Sequence, residues 1–187
     1  EALRKNNVSA LELLRAFDKN RMDPAENVSA LLHGGYEAAQ AAEALKRAGW
    51  SVATSAVTLR KAGLAPGAVT DALGDAGLHA GDLAKELRAQ GNPYEKIAQA
   101  LVATGYPAPK VARALKYAGA SAPLRAAALK RMGVEPGTVV AILRHQKVPL
   151  DELASALLAA KWSADDAVSG MRTAGLSWTP IVTALRG

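Results

Sequence analysis

The sequence has no cysteine and one phenylalanine, and only 4% of its 187 residues are aromatic. Without cysteine there is no disulfide framework and no thiolate-bound metal. No run approaches the ~18 uninterrupted apolar residues of a spanning helix, so no membrane span is expected. No signal-peptide pattern opens the chain, which begins at Glu1. With cysteine also absent, a cytoplasmic location is favoured. The three histidines, His33, His79 and His145, lack a second histidine three or four residues away, which argues against a histidine metal site. Zinc-peptidase, α/β-hydrolase, P-loop and dinucleotide-binding motifs are all missing. The chain reads as non-enzymatic, with no metal and no cofactor.

What is present is half apolar and rich in alanine, too apolar for a disordered tail. It is organised by a repeat of 14 residues. The segments LKRAGW (from Leu45), LRKAGL (Leu59), LGDAGL (Leu73), LRAQGN (Leu87), LVATGY (Leu101), LKYAGA (Leu115) and LKRMGV (Leu129) follow one another in that register. The series runs back through Leu31, Phe17 and Leu3, and forward through Leu143, Leu157, Met171 and Leu185. Thirteen full repeats therefore fill residues 3–184, and the chain reads as one helical repeat domain over 1–187.

Numbered from the leucine, position 1 is Leu in 12 of 14 occurrences and position 5 is Gly in nine of thirteen. All nine prolines fall at positions 7 to 10, the region where a helix start tolerates proline because its N–H groups lack intrahelical partners. Position 7 is often Ser or Asp, as at Ser9, Asp23, Ser51 and Ser163, which are N-cap types. Gly at position 5 suits the left-handed residue that stops a helix. Each repeat thus predicts a helix of about 11 residues, from position 8 to position 4 of the next repeat, roughly 16 Å long. The apolar positions 8, 11, 12, 1 and 4 share one helical face. Links of about three residues reach at most ~10 Å, too short to run back along such a helix. Successive helices must be antiparallel or sharply angled, which makes an all-α solenoid of about thirteen short helices.

Lys147, Lys161, Arg21 and Asn7 stand where the other repeats have the stop glycine. Either those turns differ, or they accept a left-handed penalty of about 1 kcal/mol. No capping repeat is recognisable, and Leu185-Arg186-Gly187 lies just inside a fourteenth repeat. The chain is therefore expected to be a piece of a longer array, or to meet other subunits at its ends.

The net charge of +6, from 23 Lys+Arg against 17 Asp+Glu, raises a nucleic-acid reading. Position explains most of it. Fourteen cations lie at positions 2 or 3 and eleven acids at positions 7 to 10, the helix ends where the dipole favours each sign. The acid pairs Asp151-Glu152 and Asp165-Asp166 belong to this pattern and not to a catalytic dyad. If the helices alternate in direction, one edge collects Arg60, Arg88, Lys116, Arg144 and Arg172 at position 2, with Lys61, Lys96 and Lys147 beside them. That edge holds eight cations against three anions, and the other six against five. The row is the candidate ligand-binding feature. Tyr94, Tyr117 and Trp178 are its candidate exposed aromatics, whereas Trp50, Tyr106 and Trp162 at position 6 are expected to pack.

The segment Met171-Arg172-Thr173-Ala174-Gly175-Leu176-Ser177 resembles the short-helix repeats of α-solenoid proteins in general. It also resembles, faintly, the repeats of mitochondrial transcription termination factors, whose helices are punctuated in the same Gly-apolar-Ser manner. That family's repeat is about twice as long, with a proline pattern unmatched here, so no residue or activity carries over. The resemblance implies only a helical repeat and adds to the nucleic-acid alternative. Ala, Gly and Arg usage suggests a bacterial or phage source. The expected function is a protein-binding or structural scaffold, with self-assembly as one form of it and nucleic-acid binding by the basic edge as the alternative.

Overall fold

The computed structural model describes residues 8–186, apart from the side chain of Leu185. The repeat start at Leu3, the Asn7 turn and Gly187 lie outside the described residues. Among the described residues there are thirteen helices and no strand. They are α1 (Ala10–Lys19), α2 (Pro24–His33), α3 (Ala38–Arg47), α4 (Val52–Lys61), α5 (Pro66–Asp75), α6 (Ala80–Ala89) and α7 (Tyr94–Thr104). There follow α8 (Ala108–Tyr117), α9 (Ala122–Arg131), α10 (Pro136–His145), α11 (Leu150–Ala159), α12 (Ala164–Thr173) and α13 (Trp178–Arg186). The architecture is an all-α helical repeat with one helix per 14 residues. Most helices span 10 residues, because they close at position 3, one residue earlier than the sequence pattern suggests.

Local chemistry fixes both ends of each helix. At the N-terminus of α1, the Ser9 hydroxyl accepts from the Glu12 N–H, while the Ser9 N–H donates to the Glu12 carboxylate at 2.8 Å. Ser163 and Asp166 make the same reciprocal box at α12. Proline opens α2, α5 and α10 and has no N–H to leave orphaned there. At the C-terminus, the position 6 N–H returns to the position 1 carbonyl and the position 5 N–H to the position 2 carbonyl. Trp50 to Leu45 (3.1 Å) and Gly49 to Lys46 (2.9 Å) are one instance. This Schellman arrangement requires a left-handed residue at position 5, and all nine glycines there have positive φ.

Arg21, Lys147 and Lys161 take the same conformation, with φ of 58°, 60° and 66°. Their turns carry the same paired bonds, as in Lys147 to Arg144 (2.8 Å) and Val148 to Leu143 (3.1 Å). The strain is accepted and the turn is unchanged.

The chain separates into two compact units, Glu1–Glu86 with Ala103–Tyr106, and Leu87–Val102 with Pro107–Gly187. Within each unit helices pack on their sequence neighbours and on the helix two places away, as α10 does on α12 and α3 on α5. Helices two apart point the same way, since their C-terminal ends meet: Lys46 at the end of α3 donates to Ala76 O after α5. Neighbouring helices therefore alternate in direction.

Position 1 leucines form the spine of the core, and Leu31, Leu45, Leu59, Leu101, Leu115, Leu129 and Leu143 are essentially inaccessible. Position 14 faces the helix two places back, as Gly170 faces Pro136 and Gly137. It is buried at Ala44, Thr58 and Ala72 in the first unit and from Ala114 to Ala184 in the second. Position 12 lies about 200° further round the helix and is buried at Leu14, Val28, Ala42 and Ala56, and again from Ala98 to Ala154. Small side chains at these two positions let the helices approach closely, so a core forms with few aromatics.

Candidate functional site

The basic row sits where position 2 places it, on exposed last turns of helices. Each of its cations meets a backbone carbonyl. In the first unit, Arg60 Nη1 donates to Leu64 O at 2.7 Å, in its own turn. In the second unit, Arg88 Nη1 donates to Asn92 O (3.3 Å) and Arg172 Nη1 to Leu176 O (2.8 Å) in the same manner. Lys116 Nζ reaches Gln146 O (2.9 Å) and Arg144 Nη1 reaches Ala174 O (3.0 Å), each on the turn that closes the helix two places on. A helix C-terminus leaves its last carbonyls without intrahelical donors and carries partial negative charge. Position 2 is within reach of those carbonyls, both locally and on the adjacent parallel helix.

The other edge does the same. Lys46 Nζ donates to Ala76 O at 2.7 Å, and Lys130 Nζ donates to Lys161 O at 2.6 Å. At Lys46, Lys116, Lys130 and Arg144 the position 2 cation is therefore a clamp between successive same-direction helices as well as a charge. Lys61 ends α4, Lys96 lies in the first turn of α7 and Lys147 is the left-handed residue after α10. All three are exposed.

Some aromatic rings lie beneath cations. Arg88 sits over Tyr94, Lys130 over Trp162 and Arg172 over Trp178, with 4.7, 4.9 and 4.7 Å to the ring centres. Tyr106 and Trp162 are buried, as position 6 suggests, and Trp50 is half-buried. Tyr117 and Trp178 are exposed. Tyr94 is half-buried, and its hydroxyl donates to Ala118 O at 3.2 Å.

Sequence reasoning passed over the polar residues at position 11, where most repeats carry Leu, Val or Ile. Asn27, Ser55 and Arg125 occupy that core position and are buried. The Arg125 guanidinium donates to the Gln146 side chain and, at 3.3 Å, to Ser121 O. Burial lowers its pKa, and the charge of Glu152 opposes that shift. Asn27 donates to Asp18 at 3.3 Å, while its carbonyl oxygen and the Ser55 hydroxyl meet no protein partner. Tyr106 likewise buries a hydroxyl without one, and burial followed by the nearby Asp82 charge raises its pKa. A break in an otherwise apolar column was the available signal.

Among the described residues, no three His, Asp or Glu side chains converge on a possible metal site, and no helix is long and apolar enough to cross a membrane. No protein-family model matches the chain, and no curated protein matches it significantly. The likeness to transcription termination factor repeats gains no support from these comparisons.

Proposed function

We propose that the chain is a non-enzymatic structural or protein-binding module that acts through its repeat surface, contacting a protein partner or other copies of itself. One observation carries this reading: cations of the basic row are engaged with backbone carbonyls, as Lys116 Nζ is with Gln146 O and Arg144 Nη1 with Ala174 O. Much of the basic charge thus serves the fold, while the repeated helices leave apolar side chains such as Val57, Val102 and Leu158 exposed.

The basic edge supports a second reading, nucleic-acid binding, because Arg88, Lys116, Arg144 and Arg172 stay exposed while they clamp carbonyls. The two readings separate in a fluorescence anisotropy titration with labelled duplex DNA and single-stranded RNA. The scaffold reading expects no binding at about 50 mM salt. Binding that collapses between about 50 and 200 mM salt, and is lost in an Arg88→Gln/Arg144→Gln variant, would replace it.

A further inference from the structure

We infer that the cleft between α8 and α10, inside the second unit, binds a phosphate monoester. Its volume is about 300 Å³, and its walls are Pro109 and Arg113 of α8 and Thr138, Ile142 and His145 of α10, with Gln146 just after that helix. The repeat register explains the space. Arg113 and Ala141 share position 13 on same-direction helices, so a long side chain stands opposite a methyl group. His145 follows Ala141 by four residues and so lies on the same face, one turn further on.

The helix dipole does not account for Arg113. It sits in the middle of α8, whereas the dipole favours cations in the last turn. Lys116 and Arg144 are held by carbonyls; Arg113 and His145 are exposed and meet no partner among the described residues. Gln146 adds a third donor. Its backbone O accepts from Lys116 Nζ at 2.9 Å, and its Oε1 accepts from the buried Arg125 guanidinium. With both oxygens taken, the amide NH2 is the polar group that Gln146 has left. A guanidinium fork, an imidazole N–H and an amide NH2 therefore gather at one end of the cleft.

Charge favours an anion there. No Asp or Glu lines the cleft, and the nearby acid, Glu152, acts on Arg125 behind Gln146. Carbonyls at the end of α10 would oppose an anion, but they are already bonded: Leu143 O accepts from the Val148 N–H and Arg144 O from the Lys147 N–H. A carboxylate offers two oxygens to three donor groups, whereas a phosphate monoester offers three and more negative charge. Thr138 precedes His145 by seven residues, about 10 Å along the helix axis. Pro109 and Ile142 line the cleft as well and give an apolar surface for the organic part of the ester.

The test is an amide-detected NMR titration of the chain with phenyl phosphate, inorganic phosphate and acetate at one ionic strength. Phenyl phosphate should shift the Arg113, Thr138, His145 and Gln146 amides saturably. It should bind more tightly than inorganic phosphate, and acetate should bind most weakly. Arg113→Gln should weaken phenyl phosphate binding about tenfold, the loss of a charge-assisted contact, and His145→Ala should weaken it less. Both side chains are exposed, so the fold should persist, which circular dichroism checks. Arg47→Gln removes an equal charge from the first unit and should change the affinity by less than about twofold, since salt screens distant charges. Absence of saturable shifts at the cleft overturns the inference. So does acetate binding as tightly as phenyl phosphate, and so does an equal loss in Arg47→Gln and Arg113→Gln, which would indicate attraction by net charge alone.

Discussion

The turn after α7 and the turns after α10 and α11 share a left-handed position 5 and have opposite tolerance. Each places position 5 in the left-handed region, with φ of 107° at Gly105 and of 60° and 66° at Lys147 and Lys161. At Gly105, a Cβ would fall 2.4 Å from Pro66 O and 2.5 Å from Pro66 Cβ, at the start of α5. At Gly63 or Gly133 a Cβ would meet nothing within 4 Å. The repeat's glycine therefore answers two separate demands. One is a backbone conformation, which a lysine can adopt at moderate cost. The other is a close approach of backbone to backbone, which no side chain survives.

This contrast orders the effects of substitution. Gly105→Ala should destabilise most, by about 3 kcal/mol, adding overpacking against rigid backbone to left-handed strain. Gly63→Ala should cost about 1 kcal/mol, the strain alone. Denaturant midpoints of the two variants, with m-values checked for constancy, provide the comparison. Equal losses would show that the Pro66 contact yields freely. Gly170→Ala tests the same idea inside a helix, where φ is ordinary and only the approach to Pro136 (2.7 Å) is at issue. A loss between those two is expected.

The cationic turns give the reverse experiment. Lys147→Gly should stabilise by about 1 kcal/mol through relief of the left-handed side chain. A larger loss on Gly105→Ala than gain on Lys147→Gly would separate close approach from conformation in two variants. If Lys147→Gly destabilises instead, the lysine side chain contributes something beyond the turn.

Much of this was legible in the sequence because the repeat states its own punctuation. Glycine at position 5, proline confined to positions 7–10 and Ser or Asp at position 7 each reflect a backbone group that a helix end leaves unpaired. Those constraints are local, so they are visible in single residues. The basic row was legible as a pattern but not as an arrangement. Nothing in the spacing of Lys116 and Arg144 tells that their nitrogens lie on Gln146 O and Ala174 O; that depends on how closely same-direction helices approach. The buried Arg125 shows a further limit. A charge at an apolar position marks an exception, but only the fold supplies the Gln146 side chain that receives it.

The smallest expected effect concerns helix starts and compares the two units through one motif. Glu12 in α1 and Asp166 in α12 each complete a reciprocal cap with a serine. The Glu12 carboxyl is held below its ordinary pKa chiefly by the Ser9 N–H, and also by the Ser9 hydroxyl. For Asp166, the Ser163 hydroxyl contributes first and its N–H second. Because each folded-state pKa lies below the unfolded value, the caps stabilise fully above the unfolded pKa. That stabilisation is lost as the pH falls through the folded pKa. Thermal melts from about pH 6 to about pH 2 should therefore decline across the carboxylate range. Glu12→Gln/Asp166→Asn should flatten that decline while leaving the neutral-pH melting point only slightly lower, because a neutral amide oxygen still accepts from the serine N–H. An unchanged acid slope in the double variant would place the acid sensitivity elsewhere in the chain. Unequal slopes in the two single variants would show which unit's first or last helices the cap supports more.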